Sequence, residues 1–497
     1  MILTFDIGTS ALKTALIADD GRIAALHTGE YTPSTPLPDR SEMDPEAYIR
    51  ACAAGSRNVL ERAGVGADSV DAIGLSSQGQ TFVCLDRRGK PVGPAIVWLD
   101  RRAAELVREW EEGFISPDSF FRSTGYPWLP PELTVFKAAW LARNAPWFGD
   151  IWKLLCLPEF LVHWMTGEAL TDRVTAQFSG LYDLRTGRWN LSFLDAAGLR
   201  EDQLAAVGEP GTIAGWLRED SARDLGLRPG IPVCLGANDQ IAGALGAGNC
   251  RHGDTTETTG TALAVVTSTT GLHSDCRMMA GRHAIPGLFF AMPFANTAAA
   301  VLKWLRDLIS PGEDYNSFLR DVGRVPPGCD GLTLLPHFSG AASPDLRPDA
   351  RGIIAGLTLL HGREHLARAA MESCACLLRQ CVEVTSSVSG PVRLVRSLGG
   401  AARSGLWLQM KADMLGVPVE RPACSEAASL GAGMMAAKAT GRFGTLEEAA
   451  DSWYRPDRVF EPDSRTAEAM DEVYGRFQEL YEHYYGRAAL ASPSGPC

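Results

Sequence analysis

The sequence predicts an α/β fold built as two lobes that face a shared cleft, and three observations carry that reading. A strand pattern at the start of the chain runs into Asp6-Ile7-Gly8-Thr9-Ser10, and a second, Thr-rich one runs into Thr258-Thr259-Gly260-Thr261 about half a chain later. Each Gly-Thr turn is followed by another apolar strand pattern, so one hairpin is used twice, as in a duplicated architecture. Strand and helix patterns then alternate in both halves, which argues for lobes with mixed or parallel sheets. At 497 residues the chain is also long for a single hydrophobic core.

Taken in order, residues 2–5 are an apolar run of strand formers and residues 12–18 resume the strand, with Asp19-Asp20-Gly21 as the next turn. Residues 70–75, 81–85 and 96–99 read as strands, 100–111 as an amphipathic helix, and 136–143 as the start of another. Turn-rich segments lie at 31–38 and 126–131. Residues 233–240 are a strand ending in a turn, and 241–248 a small-residue helix suited to close packing. The second half restarts with strands at Asp254, has helices at 297–308 and 363–386, a strand at 394–398, and an Ala/Gly-rich helix at 427–439. These patterns divide the chain into lobes 1–245 and 246–487, with a small, Pro-containing tail at 488–497 expected to be disordered.

Composition narrows the function. The chain is 45% hydrophobic and 21% charged, an ordinary globular mix. A net charge of −12 argues against nucleic acid or an anionic membrane as partner. An anionic substrate then needs local cations, because charge beyond about 8 Å is screened. The longest apolar stretch, 288–302, is broken by Pro293 and Asn296 and is too short to span a bilayer. Twelve cysteines lack framework spacing and Asp6 interrupts any secretory core, so reduced thiols in the cytoplasm are expected. Cys374, Cys376 and Cys381 sit in a helical apolar run and read as core residues rather than metal ligands.

The chemistry gathers at strand ends. Gly8 lets anionic oxygens approach the backbone, Thr9 and Ser10 add donors, and Lys13 adds a charge. Asp6 suits a Mg2+ held through water. Alone, the hairpin is either a phosphate cradle or an ordinary tight turn; the second copy at Gly260 favours the cradle, since two lobes can then grip one nucleotide. Asp239 ends a strand, where open α/β sheets place ligands. It is either a general base toward an attacking hydroxyl or the cap of the next helix. A third element, Gly399-Gly400-Ala401-Ala402-Arg403-Ser404, follows a strand and lets a flat ligand near the backbone, while Trp407 reads as core.

These residues resemble the FGGY carbohydrate kinases, with xylulokinases the nearest look-alikes, over nearly the whole chain. Asp6–Ser10 resembles the family's first phosphate motif and Thr258–Thr261 the second. Gly352-Ile-Ile-Ala-Gly356-Leu357 with His365 to Glu372 resembles its long C-terminal pattern. Gly399 to Ser404 with Trp407, Gln409 and Asp413 resembles the adenosine side, and Ile96 to Arg102 the segment beside the sugar. The resemblance implies an actin-like (ribonuclease H-like) two-lobe ATPase fold, ATP with Mg2+, and phosphorylation of a small sugar or polyol, a ketopentose favoured. It puts the catalytic base at Asp239, Mg2+ through water at Asp6 and Asp239, and phosphates at Gly8, Thr9, Ser10, Lys13, Thr259, Gly260 and Thr261. It puts adenosine at Gly399, Gly400, Ala401 and Arg403, and the sugar at Gln78, Gly79, Gln80, Trp98, Asp100 and Gln240. A homodimer is a candidate assembly.

The chain departs from the family in places. Gln78-Gly79-Gln80-Thr81 stands where xylulokinase look-alikes carry Gln-Met-His-Gly, and Gly340-Ala-Ala-Ser-Pro344 where Gly-Glu-Arg-Thr-Pro is usual. Phe136 replaces a common Pro before Lys137, Leu157-Pro-Glu159-Phe160 replaces a Lys-Asp-Tyr type segment, and Ala401 replaces a third Gly. These changes leave the phosphate chemistry intact and bear on which sugar is accepted. Two other classes share parts of this signature. An actin-like ATPase acting as chaperone or switch needs no Gln78, Trp98 or Asp239-Gln240 set, and a sugar sensor of the same fold binds without turnover.

Overall fold

The computed structural model describes residues 1–486; the tail expectation for 488–497 lies outside the described residues. Two large sheets repeat one topology. In the first, Ile2–Ile7 pairs antiparallel with Ala11–Ile17, which pairs antiparallel with Ile23–Glu30. On its other side Ile2–Ile7 runs parallel to Ala72–Ser77, and that strand runs parallel to Pro232–Asn238. Ile213–Trp216 closes the edge antiparallel. In the second sheet Thr255–Thr259 pairs antiparallel with Leu263–Thr269 and parallel with Val395–Leu398, which runs parallel to Val419–Pro422. Pro456–Phe460 closes that edge antiparallel. The duplication read from the two hairpins is therefore a duplicated sheet, and the architecture is mixed α/β in two lobes.

This topology places the chemistry. Three central strands in each sheet run parallel, so their C-terminal ends open on one side. Gly8, Gly79 and Asp239 follow the three in the first lobe; Gly260 and Gly399 follow two in the second.

The two lobes join through helices of small residues. The helix Asp239–Gly246 packs against Ala427–Ala439, which also lies on the first sheet. A Cβ on Gly246 would stand 1.9 Å from the Ala427 carbonyl oxygen, and one on Gly431 1.9 Å from that of Ala242. Only glycine allows two helix backbones this close. Leu430, Met434, Met435 and Trp453 share one buried cluster with Phe82, Phe136 and Ile241. A single cut at 245/246 thus separates the two sheets but not this helix.

One local expectation fails. Residues 96–111 do not run from strand straight into helix: the strand is Ala95–Ile96 and the helix Ala104–Gly113. Asp100 holds the turn between them, accepting from Arg102 Nε at 2.7 Å and from the Ser41 N–H at 2.8 Å. Among the described residues ten cysteines are free thiols, including Cys374, Cys376 and Cys381 in the apolar core. Among the described residues no helix is long and apolar enough to cross a membrane.

Candidate active site

Asp6 and Asp239 lie at the C-terminal ends of two parallel strands of the first sheet that flank Ala72–Ser77, and the Asp6 charge is felt at Asp239. Burial, offset in part by Lys13 and a Ser76 hydrogen bond, lifts Asp6 to about 6. Ser76 Oγ donates to Asp6 Oδ1 at 3.0 Å. Burial, with the Asp6 charge second, lifts Asp239 to about 7. The helix cap falls to Asn238, whose side-chain oxygen accepts from the Gln240 N–H at 3.1 Å. Asp239 is thereby left for other work, with Gln240 Nε2 at 3.5 Å.

The first hairpin is tied from two sides. The Gly8 N–H donates to the Ala11 carbonyl at 3.0 Å, and the Tyr31 hydroxyl donates to the Gly8 carbonyl at 2.6 Å. Thr9 Oγ1 accepts from Trp98 Nε1 at 2.7 Å, so Trp98 is half-buried and bound to the phosphate turn rather than loose in a pocket. Ser10 is exposed. Lys13 Nζ donates to Glu426 Oε2 at 2.6 Å, although its side chain is still 40% exposed.

In the second lobe Gly260 has open space where a Cβ would stand, and Thr261 is exposed. Thr259 is buried, and its hydroxyl donates inward to Glu257 Oε2 at 2.6 Å. Gly399 takes φ +80° beside the Thr259 carbonyl oxygen, 2.9 Å from where its Cβ would lie. Gly400 faces open space, and Arg403 is exposed. Ala401 is buried in the same apolar cluster as Trp407, whose Nε1 donates to the Met371 carbonyl. Ala401 thus supports the turn from within rather than offering a surface.

The acceptor side gathers on two loops. Gln80 is a non-glycine residue at φ +60°, a strained conformation of the kind functional sites hold. Its Nε2 donates to the Tyr126 hydroxyl at 2.9 Å. Its carbonyl accepts from Lys137 Nζ at 3.0 Å, and the same ammonium reaches the Val97 carbonyl at 3.0 Å. Gly79 is wedged between Asn238 and Phe178. Gln78 is 4% exposed beside Tyr48, so its amide does not face open space. Asp100 is wholly buried and its two oxygens are occupied by Arg102, which also binds Glu42. The structure makes Asp100 a brace for the loop, not a surface for a sugar.

Lys137, Tyr126, Glu426 and Lys411 were not among the expected site residues. Lys137 and Lys411 carried a signal: each is a lysine inside an apolar helical run, Val135-Phe136-Lys137-Ala138 and Leu408-Gln-Met410-Lys411-Ala412. Their partners lie far away in sequence, so the signal names a buried cation without saying what it holds.

Comparison with known proteins settles the family. The model of the FGGY family of carbohydrate kinases, N-terminal domain, matches residues 1–246, and its C-terminal domain matches residues 246–440. The chain is a member of the FGGY carbohydrate kinases. Similar proteins include a glycerol kinase of Polaromonas naphthalenivorans, 30% identical with 99% of each chain covered. A xylulose kinase of Bacillus subtilis is 26% identical with 97% of each covered. The crystal structure of a xylulose kinase from Rhodospirillum rubrum superposes with TM-score 0.87 at 28% identity, covering 97% of this chain and 99% of that one.

As a carbohydrate kinase the protein transfers phosphate to an alcohol, and its donor set fits a magnesium nucleotide. Among the described residues no three His, Cys, Asp or Glu side chains converge into a protein-only metal cage. Asp6 and Asp239, two buried carboxylates of which the first raises the pKa of the second, are the kind of ligand Mg2+ uses when it keeps its waters and phosphate ligands.

Proposed function

We propose that this kinase transfers the γ-phosphate of ATP to a hydroxyl of a small uncharged polyol or ketose, a xylulose-like ketopentose favoured. The observation that carries the reading is the pair Asp6 and Asp239 at parallel strand ends on one side of the first sheet, with Asp239 relieved of capping by Asn238. In this reading Gly8, Thr9, Ser10 and Lys13 hold the phosphates from one lobe, and Gly260 and Thr261 from the other. Gly399, Gly400 and Arg403 border the adenosine. Bound Mg2+ neutralises charge on the phosphates.

Asp239 accepts the hydroxyl proton as the substrate oxygen bonds to the γ-phosphorus and the bridging P–O bond breaks, leaving ADP. A base held near pH 7 is well matched to that role. Gln80, Tyr126, Gln240 and Trp98 offer directional hydrogen bonds and an aromatic face, which suit vicinal hydroxyls rather than a charged group. Asp100 has both oxygens taken up by Arg102, whereas the Gln78 amide is buried with neither atom partnered and stays a candidate contact. Relatives named for glycerol and xylulose lie at comparable identity, so the pocket and not the likeness argues for the acceptor.

A coupled ADP-release screen across pentuloses, hexuloses, aldonates and alditols identifies the acceptor; fastest turnover of an aldonate would overturn the uncharged class. Asp239→Asn is expected to lower kcat by about 10²-fold or more while ATP binding stays near normal. Turnover retained in that variant discards the base assignment.

A further inference from the structure

Behind the second phosphate turn lies an ion pair that nothing in the proposed reaction uses. Lys411 Nζ donates to Glu257 Oε1 at 2.6 Å, and both side chains are wholly enclosed. The same ammonium donates to Thr259 Oγ1 at 2.9 Å and lies 5.6 Å from the centre of the Trp407 ring. The Thr259 hydroxyl donates to Glu257 Oε2, and the Ser397 hydroxyl donates to Glu257 Oε1. Each charged or hydroxyl group in the cluster is therefore partnered.

The cluster ties three elements at the places where the two nucleotide turns begin. Glu257 and Thr259 lie on one strand, which ends at Thr259 immediately before Gly260. Ser397 pairs directly with Glu257 in the parallel register and lies two residues before Gly399. Lys411 comes from the helix Gly405–Leu415 that follows the Gly399–Arg403 turn. Gly399 packs against the Thr259 carbonyl, so the two turns already touch.

We propose that Glu257 and Lys411, acting through Thr259 and Ser397, are positioning residues that fix the phosphate turn at Gly260 against the adenosine turn at Gly399-Gly400. The inference rests on the nucleotide site proposed above. Stability is a poor account of the pair, because well-packed apolar side chains in place of a buried ion pair are often neutral or stabilising. What apolar side chains lack is direction. The hydrogen bonds set the Thr259 side chain, and with it the backbone that leads into Gly260.

The test separates order from stability. Lys411→Met alone strands a buried carboxylate and is expected to unfold the second lobe at lower temperature. The double variant E257Q/K411M removes both charges and keeps an acceptor for Ser397. It is expected to fold and to keep its KM for the acceptor, while KM for ATP rises about tenfold or more, as misplaced binding groups cause. Wild-type KM for ATP in the folded double variant overturns the proposal. Thr259→Val, which leaves the ion pair in place, gives a second reading: KM for ATP rises about three- to tenfold, the worth of one buried hydrogen bond. An unchanged value overturns the proposal equally. Gly400→Val checks the underlying site, since its side chain enters open space. A raised KM for ATP there with no change in E257Q/K411M rejects the positioning role alone, whereas no change in Gly400→Val rejects the nucleotide site itself.

Discussion

Glu159 shows how burial sets the chemistry of one side chain. Its Oε2 accepts from the Cys156 N–H at 2.8 Å, while Oε1 is buried without a partner. It lines a small cavity with Thr171, Asp172 and Gly236. Burial lifts its carboxyl to about 7, with Asp172 adding to the rise. Because the folded value lies above the unfolded one, the stability linked to this group is complete at pH below about 4.5 and is lost as pH rises through about 7. Glu159→Gln keeps the Cys156 bond and cannot ionise. Its melting temperature relative to the parent is therefore expected to climb between pH 4.5 and 7 and then level off. A difference independent of pH would contradict the linkage. Asp239 and Asp100 make the complementary point. One sequence context offered two carboxylates near a sugar, and enclosure with Arg102 removed one of them.

At the scale of elements, the helix Thr134–Asn144 acts as a staple. Lys137 reaches from it to the carbonyls of Gln80 and Val97, one on each acceptor loop. Thr134 adds a second bond to the Gln80 carbonyl, at 3.3 Å. Through Val97 the staple bears on Trp98 and so on Thr9 of the phosphate turn. Lys137→Met keeps the stem and removes the donors. The acceptor KM is expected to rise about tenfold, with KM for ATP changed far less. Equal changes in both would show general loosening instead. The central strands were legible as apolar runs and the helix Ala427–Ala439 from its Ala-rich run, but the outer strands Ile23–Glu30, Ile213–Trp216, Val419–Pro422 and Pro456–Phe460 were not assigned. The turn at residues 97–103 was not, because a buried carboxylate binding Arg102 and Ser41 leaves no periodic trace. Thr259, expected at the phosphates, instead turns its hydroxyl inward to Glu257, and its partner Lys411, 154 residues from Glu257, was not expected there.

For the molecule as a whole, the two lobes are held by a crossing of glycine-bearing helices. Gly431→Val would drive a side chain into the Ala242 carbonyl. Overpacking of this kind is expected to lower stability by about 3 kcal/mol, seen as a shifted denaturation midpoint, and to impair catalysis because the facing turns lose their spacing. A stable, fully active Gly431→Val variant would show that the crossing is slack.

The sequence by itself determined the α/β class, the doubled hairpin and the acid at the end of the Pro232–Asn238 strand, since periodicity and turn chemistry are local. Only the tertiary structure decided which carboxylate feels the charge of another, which lysine is buried and which threonine turns inward. Those outcomes depend on partners brought from distant segments and on the exclusion of water between them, and neither is written in a neighbouring residue.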